Sequence, residues 1–184
     1  MNWSFLHLTL LQIGLPFEMV RWIISCVTGA NFAVLINGVP TKSFNCSQGI
    51  WQGFPFSPYL FLLIVEGPSL LIAREKKEKR IIGLKVTGSL TLTHIFFVDD
   101  FFLSGDGSLL EWLHYKSLIN LFCGFSGISI SERKSVFGSL NVSKDVSLLI
   151  SHQFSYPWKS LEVGFTYLGF FLKPNNYLVY DWNW

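Results

Sequence analysis

The chain has 184 residues and a mass of 21.0 kDa, the size of one ordinary domain. Half of its residues are hydrophobic, 17% are aromatic and only 14% are charged, which excludes intrinsic disorder, a state that needs low hydrophobicity and high net charge. The net charge of +2 forces no nucleic-acid partner, and so apolar a composition fits either a membrane protein or a piece of a larger body whose other parts cover the surplus.

The opening MNWSFLHLTLLQIGLP lacks the basic stretch and the small-residue cleavage site of a signal peptide, so the chain is expected not to be secreted. Trp3, Leu6, Leu10 and Ile13 recur at helical spacing, and Gly14-Leu15-Pro16 ends that helix. A second helix is expected from about Phe17 to Val27, with Met19, Val20, Ile23, Ile24 and Val27 turned inward. Phe32 to Ile36 reads as a strand, Asn37-Gly38 as a hairpin turn and Val39 to Phe44 as the return strand. An ordered loop follows, marked by Gly49, Gly53, Pro55 and Pro58, and then a helix from Ser57 toward Lys79 that Pro68 should kink or end.

The segment Arg74 to Arg80 is the one dense charge cluster, read as a solvated helix end or, alternatively, as a contact for nucleic acid. Ile81 to Val86, Leu90 to Val98 and Phe101 to Ser104 are apolar runs. An amphipathic helix spans Ser108 to Phe125, with strand-like pieces at Ile128 to Ile130 and Ser135 to Phe137. A short helix near Lys144 to His152 and a strand from Phe165 to Leu172 complete the pass. Hairpins alternating with helices give an α+β class.

A membrane span needs about 20 mostly apolar residues. The apolar runs 22–41, 43–65 and 59–72 are each broken by Gly, Asn, Gln, Glu or Pro, so no membrane partner is expected. Cys26, Cys46 and Cys123 are odd in number and form no CxxC pair, which predicts free thiols. The sequons at Asn45 and Asn141 are expected to be unused without a secretory route.

The stretch Ile95 to Leu103 sets Asp99-Asp100 between two apolar strand-forming runs, at the tip of a tight hairpin. Adjacent carboxylates repel and lose hydration in apolar surroundings unless a cation offsets both terms. Mg²⁺, a hard ion that prefers carboxylate and phosphate oxygens, suits them. Taken alone, an Asp-Asp turn is more often plain surface-turn chemistry.

The loop Ser47-Gln48-Gly49-Ile50-Trp51-Gln52-Gly53-Phe54-Pro55-Phe56-Ser57-Pro58-Tyr59-Leu60-Phe61 supplies the context. With it, the chain resembles the reverse transcriptase domain of plant LINE-class non-LTR retrotransposons, whose loop reads SRGLRQGDPLSPYLF and whose metal hairpin reads FADD. Val34 to Gly38 resembles that family's VLING segment, Ser126 to Ile130 with Lys134-Ser135 its SGLxIN…KS segment, and Tyr167-Leu168-Gly169 its YLG motif. The closing LKPNNYLVYDWNW is also similar to plant copies. The resemblance covers essentially the whole chain.

The resemblance implies a partial polymerase palm of the right-hand reverse transcriptase fold, with antiparallel hairpins packed on helices over residues 1–184 and a palm-to-thumb region at 156–184. It implies RNA-directed DNA polymerisation, in which two Mg²⁺ ions assist attack of a primer 3′-hydroxyl on a deoxynucleotide. The implied partners are an RNA template, a DNA primer and deoxynucleotides, in a nuclear or cytoplasmic setting. Asp99 and Asp100 would be catalytic metal ligands, and Gln52, Gly53 and Pro55 would lie against nucleotide and template. Lys134 would donate a proton to pyrophosphate or neutralise it, unless it is a plain exposed cation. Tyr167, Leu168 and Gly169 would belong to the primer-grip region, unless they serve only as a core strand.

Departures from the family qualify this. There, the segment matching Asn2 to Leu6 follows upon another catalytic aspartate, in a pattern like KAYDxVNWSFL; here Met1 stands in place of the valine or similar residue after that aspartate, so the aspartate and the upstream fingers are expected to be missing. Trp51 occupies the family's arginine position, Phe54 its aspartate, Val98 its alanine and Pro68 its leucine. The expectation is therefore a truncated, degenerate copy that is inactive alone and binds Mg²⁺ weakly. The alternatives are a non-catalytic nucleic-acid-binding remnant or a poorly folding product.

Overall fold

The computed structural model describes residues 1–174; residues 175–184, with most of the closing motif, lie outside the described part. The described residues gather into two units. One comprises Met1–Glu75, His94–Phe102 and Leu118–Ser129, and the other Lys76–Thr93, Leu103–Ser117 and the chain from Ile130 on. The class is α+β, five helices with small two-stranded sheets among the described residues.

In the first unit α1 (Trp3–Gln12) starts where the Asn2 side chain accepts the Ser4 N–H at 2.8 Å, satisfying one of the donors that a helix start leaves open. α2 (Phe17–Thr28) begins directly after Pro16. Leu6 and Leu10 of α1 and Val20 and Val27 of α2 are buried. They form one core with Leu60 and Ile64 of α3 (Ser57–Lys77) and Phe122 of α4 (Leu109–Ser126). Ile13 and Met19, expected inside, are exposed: Ile13 is the C-cap residue, past the last turn of α1, and Met19 lies about 100° around α2 from the buried Val20.

The expected strand at 32–36 is two short ones. β1 (Asn31–Phe32) pairs antiparallel with β4 (Phe44–Asn45), while β2 (Leu35–Ile36) pairs with β3 (Val39–Pro40). Asn37 and Gly38 have φ of 50° and 83°, both positive as a type I′ turn requires.

α3 runs unbroken through Pro68 to Lys77. A proline there removes a backbone bond and clashes with the preceding turn, at about 3 kcal/mol. The same helix buries Leu60, Ile64, Val65 and Ile72, each favourable by about 1.5–3 kcal/mol, and packing outweighs propensity. By length and composition α3 is the one described helix long and apolar enough to cross a membrane; it carries Glu66 and gives Leu60 and Ile64 to the core.

In the second unit β5 (Leu84–Lys85) pairs antiparallel with β6 (Thr91–Leu92). α4 gives its first half to this unit and its second half to the other. β7 (His94–Phe97) and β8 (Asp100–Leu103), which up to Phe102 belong to the first unit, form the Asp-Asp hairpin. Ile128 to Ile130 is not a strand; a 3₁₀ turn at Glu132–Lys134 follows it. β9 (Phe137–Ser139) pairs in parallel with β10 (Trp158–Ser160), which was not expected. Parallel neighbours need a crossover, supplied by α5 (Lys144–Phe154).

Buried polar groups on this crossover satisfy one another. The Ser139 and Ser147 hydroxyls lie 2.8 Å apart, and Trp158 Nε1 donates to Ser139 Oγ at 2.8 Å. Residues 165–172 are a hairpin rather than a single strand: β11 (Phe165–Tyr167) turns at Leu168-Gly169 into β12 (Phe170–Leu172).

Candidate functional site

The hairpin β7–β8 has a two-residue loop, Val98-Asp99. Of these two residues Val98 alone has a positive φ, 52°, the pattern of a type II′ turn, in which the first loop position favours glycine. A β-branched residue held there is a genuine backbone outlier, costing on the order of 1–3 kcal/mol. Aromatic packing holds the hairpin in spite of it. Phe96 and Phe101 lie 4.4 Å apart between ring centroids, and Phe101 continues to Phe122 of α4 at 6.2 Å.

Asp99 ends the loop and Asp100 opens β8, and both are exposed. Water reaches both carboxylates, so the hydration loss expected of acids in an apolar setting does not arise. The described residues contain no group of three or more His, Cys, Asp or Glu side chains able to share a metal ion. Two exposed carboxylates have oxygen chemistry suited to Mg²⁺, but among the described residues no third carboxylate, imidazole or thiolate stands with them to share an ion.

The loop 47–56 belongs to the same unit and is fastened from one side. Gly49 donates its N–H to the Met1 carbonyl at 2.8 Å and accepts Trp3 Nε1–H at 2.7 Å. Ser57, buried at the start of α3, donates its hydroxyl to the Trp51 carbonyl at 2.6 Å. Gln52, Gly53 and Pro55 are exposed along the other side. Gly53 has a φ of 83°, and no atom lies within 4 Å of where its Cβ would be. Its backbone conformation, rather than crowding within the chain, calls for glycine there.

Spacing along the chain did not reveal what Trp51 and Phe54 do. Trp51 meets Phe32 edge-on at 5.5 Å and Phe54 at 5.6 Å, Phe54 meets Phe56 at 5.8 Å, and Phe32 meets Phe44 at 6.2 Å. Both departures from the family's charged pair thus fall within one aromatic cluster. Trp51 Nε1 is buried there without an acceptor. A buried unpaired donor costs about 1–3 kcal/mol, so Trp51→Phe, which keeps a ring and drops the N–H, is expected to raise stability by about 1 kcal/mol in urea unfolding. A loss above 1 kcal/mol would show that the indole supplies packing that the smaller ring cannot replace.

The remaining expected site residues lie in the second unit. Lys134 ends the 3₁₀ turn and is exposed. Tyr167 is half-buried on β11, while Leu168 and Gly169, with φ of 51° and 83°, make the turn into β12. The YLG motif is therefore a strand end and a type I′ turn.

Over 67 residues the chain is 40% identical to an uncharacterized mitochondrial protein of Arabidopsis thaliana. That match covers 36% of this chain and 55% of the other, so the chain spans about half the length of the relative it matches. No protein-family model matches the sequence.

Proposed function

We propose that this chain derives from the palm of a non-LTR retrotransposon reverse transcriptase and, as these 184 residues, does not polymerise. The reading rests foremost on the Asp99-Asp100 hairpin, where a strained, glycine-preferring turn holds a valine and presents two carboxylates to solvent. Strained turns cluster at functional sites, because a chain keeps them only where its surroundings enforce them. The order of motifs around the hairpin supports it: VLING, the Gln52-Gly53 loop, the Lys134 segment and YLG. Similarity over 67 residues to a plant mitochondrial protein is compatible with such a descent but names no activity.

The lack of activity follows from the donor set. Nucleotidyl transfer of this kind relies on two metal ions clamped by shared carboxylates. Asp99 and Asp100 have no third ligating side chain beside them among the described residues. The loop's guanidinium and carboxylate positions hold Trp51 and Phe54, engaged with each other. Purified chain given a primed RNA template, deoxynucleotides and Mg²⁺ is expected to extend no primer above a heat-treated control. Extension that disappears in Asp99→Ala would refute the inactive reading and establish the polymerase one.

A further inference from the structure

Glu111 lies in the first turn of α4, only 2% exposed. Its Oε1 accepts the N–H groups of Ile82 at 2.7 Å and Gly83 at 2.6 Å, and its Oε2 accepts the N–H of Asp106 at 2.5 Å. Two separate stretches of the second unit thus close on one side chain. The approach is tight: a Cβ on Gly105 would come within 2.5 Å of Glu111 Oε2, and one on Gly83 within 2.5 Å of the Leu92 carbonyl oxygen. Asp106 is also a hydrogen-bond partner of Glu111 through its own carboxyl, while its Oδ1 accepts the Ser108 N–H at 2.7 Å.

The titratable groups that face Glu111 are Asp106 from the loop and Tyr115 one turn along α4. The 82–83 stretch brings backbone amides only, and Arg80, just ahead of it, pairs with Glu78. Glu111 therefore has no cationic partner among the described residues. A neutral Glu111 satisfies every contact: the carbonyl oxygen takes two N–H bonds, and the hydroxyl oxygen takes one and donates its proton to the Asp106 carboxylate. With both acids ionised, two negative charges meet, one of them buried.

We propose that Glu111 and Asp106 form a proton-operated clasp, closed while one proton is shared between them and loosened when that proton leaves. Loosening frees the 82–83 stretch and the 105–108 loop from the start of α4. Burial, and then the Asp106 carboxyl, hold Glu111 above the usual glutamate range; Asp106, despite the opposing effect of burial, is held below its own by Glu111 and the Ser108 N–H. The signs follow. Glu111 binds its proton more tightly folded than unfolded, so its contribution is full below the unfolded value and fades as pH rises through the folded one. Asp106 does the opposite, contributing above its unfolded value and losing that as pH falls through its folded one.

A carboxyl-carbon NMR titration of the labelled full chain tests this. The Glu111 midpoint is expected above the roughly 4.3 of an unperturbed glutamate, and to fall in Asp106→Asn, where the neighbouring charge is gone. A midpoint at or below about 4.3, or one unmoved by Asp106→Asn, overturns the clasp. Hydrogen exchange at Ile82, Gly83 and Asp106, corrected for intrinsic rates, gives an independent reading. Protection is expected to fall with rising pH in the native chain and to stay level in Glu111→Gln; the same trend in both would refute the proposal.

Discussion

Glu111→Ala is expected to destabilise the chain by about 3 kcal/mol or more, the largest loss foreseen for a single change outside the apolar core. The alanine leaves the amides of Ile82, Gly83 and Asp106 without their acceptor, at about 1–3 kcal/mol for each donor that stays buried. The loop amide of Asp106 can turn toward water, which keeps the total below the simple sum. Urea unfolding below the Glu111 midpoint, where the clasp is closed, measures it. A loss under 1 kcal/mol would mean that all three amides find water when the side chain goes, so that Glu111 does not organise the segment.

The change of opposite sign is Pro68→Ala. Proline in a helix interior is about 3 kcal/mol less favourable than alanine, through its missing N–H and its ring's clash with the preceding turn. Pro68 is buried, so part of the gain is offset by the ring contacts that alanine gives up. A net increase of about 2 kcal/mol is expected, read as a higher urea midpoint with an unchanged slope. Pro68→Leu, the residue of the resembling family, adds volume and tests whether the site can also take the larger side chain. No gain from either variant would show that α3 already accommodates the ring without strain.

Most helices were legible in the sequence, because apolar spacing and punctuation by Gly14, Pro16 and Gly127 act locally. The Asn37-Gly38 turn was equally plain, since both residues tolerate positive φ. The parallel pairing of β9 with β10 was not. Trp158-Lys159-Ser160 is too short and polar to announce a strand, and its partner lies beyond a whole helix. Val98 in a turn that favours glycine runs against local preference, so the hairpin was foreseen from its apolar flanks but not its strain.

The candidate site was legible to a similar degree. Asp99 and Asp100 stand at a hairpin tip as expected, but their exposure could not be read from neighbours that are nearly all apolar. The sequence does not single out Glu111, because a glutamate in the first turn of an amphipathic helix ordinarily faces water and favours the helix dipole. Its burial depends on Gly83 and Gly105, whose closeness to it exists only in the fold. Similarly, the five rings of the Trp51 cluster come from residues 32 to 56 and share no local spacing.

The two tight turns also set an order of events during folding. Asn37-Gly38 favours its bend before anything packs on it, so β2 and β3 can meet early and locally. Val98 opposes its bend, and an isolated segment 94–103 therefore gains little by closing. Closure has the Phe96–Phe101 contact to draw on within the segment and is expected to gain further once Phe101 also has Phe122 to rest against, which requires α4 to be in place. The Asp-Asp hairpin is thus expected to close later than the Asn37-Gly38 hairpin, and slackening at the Phe101–Phe122 contact is expected to loosen it.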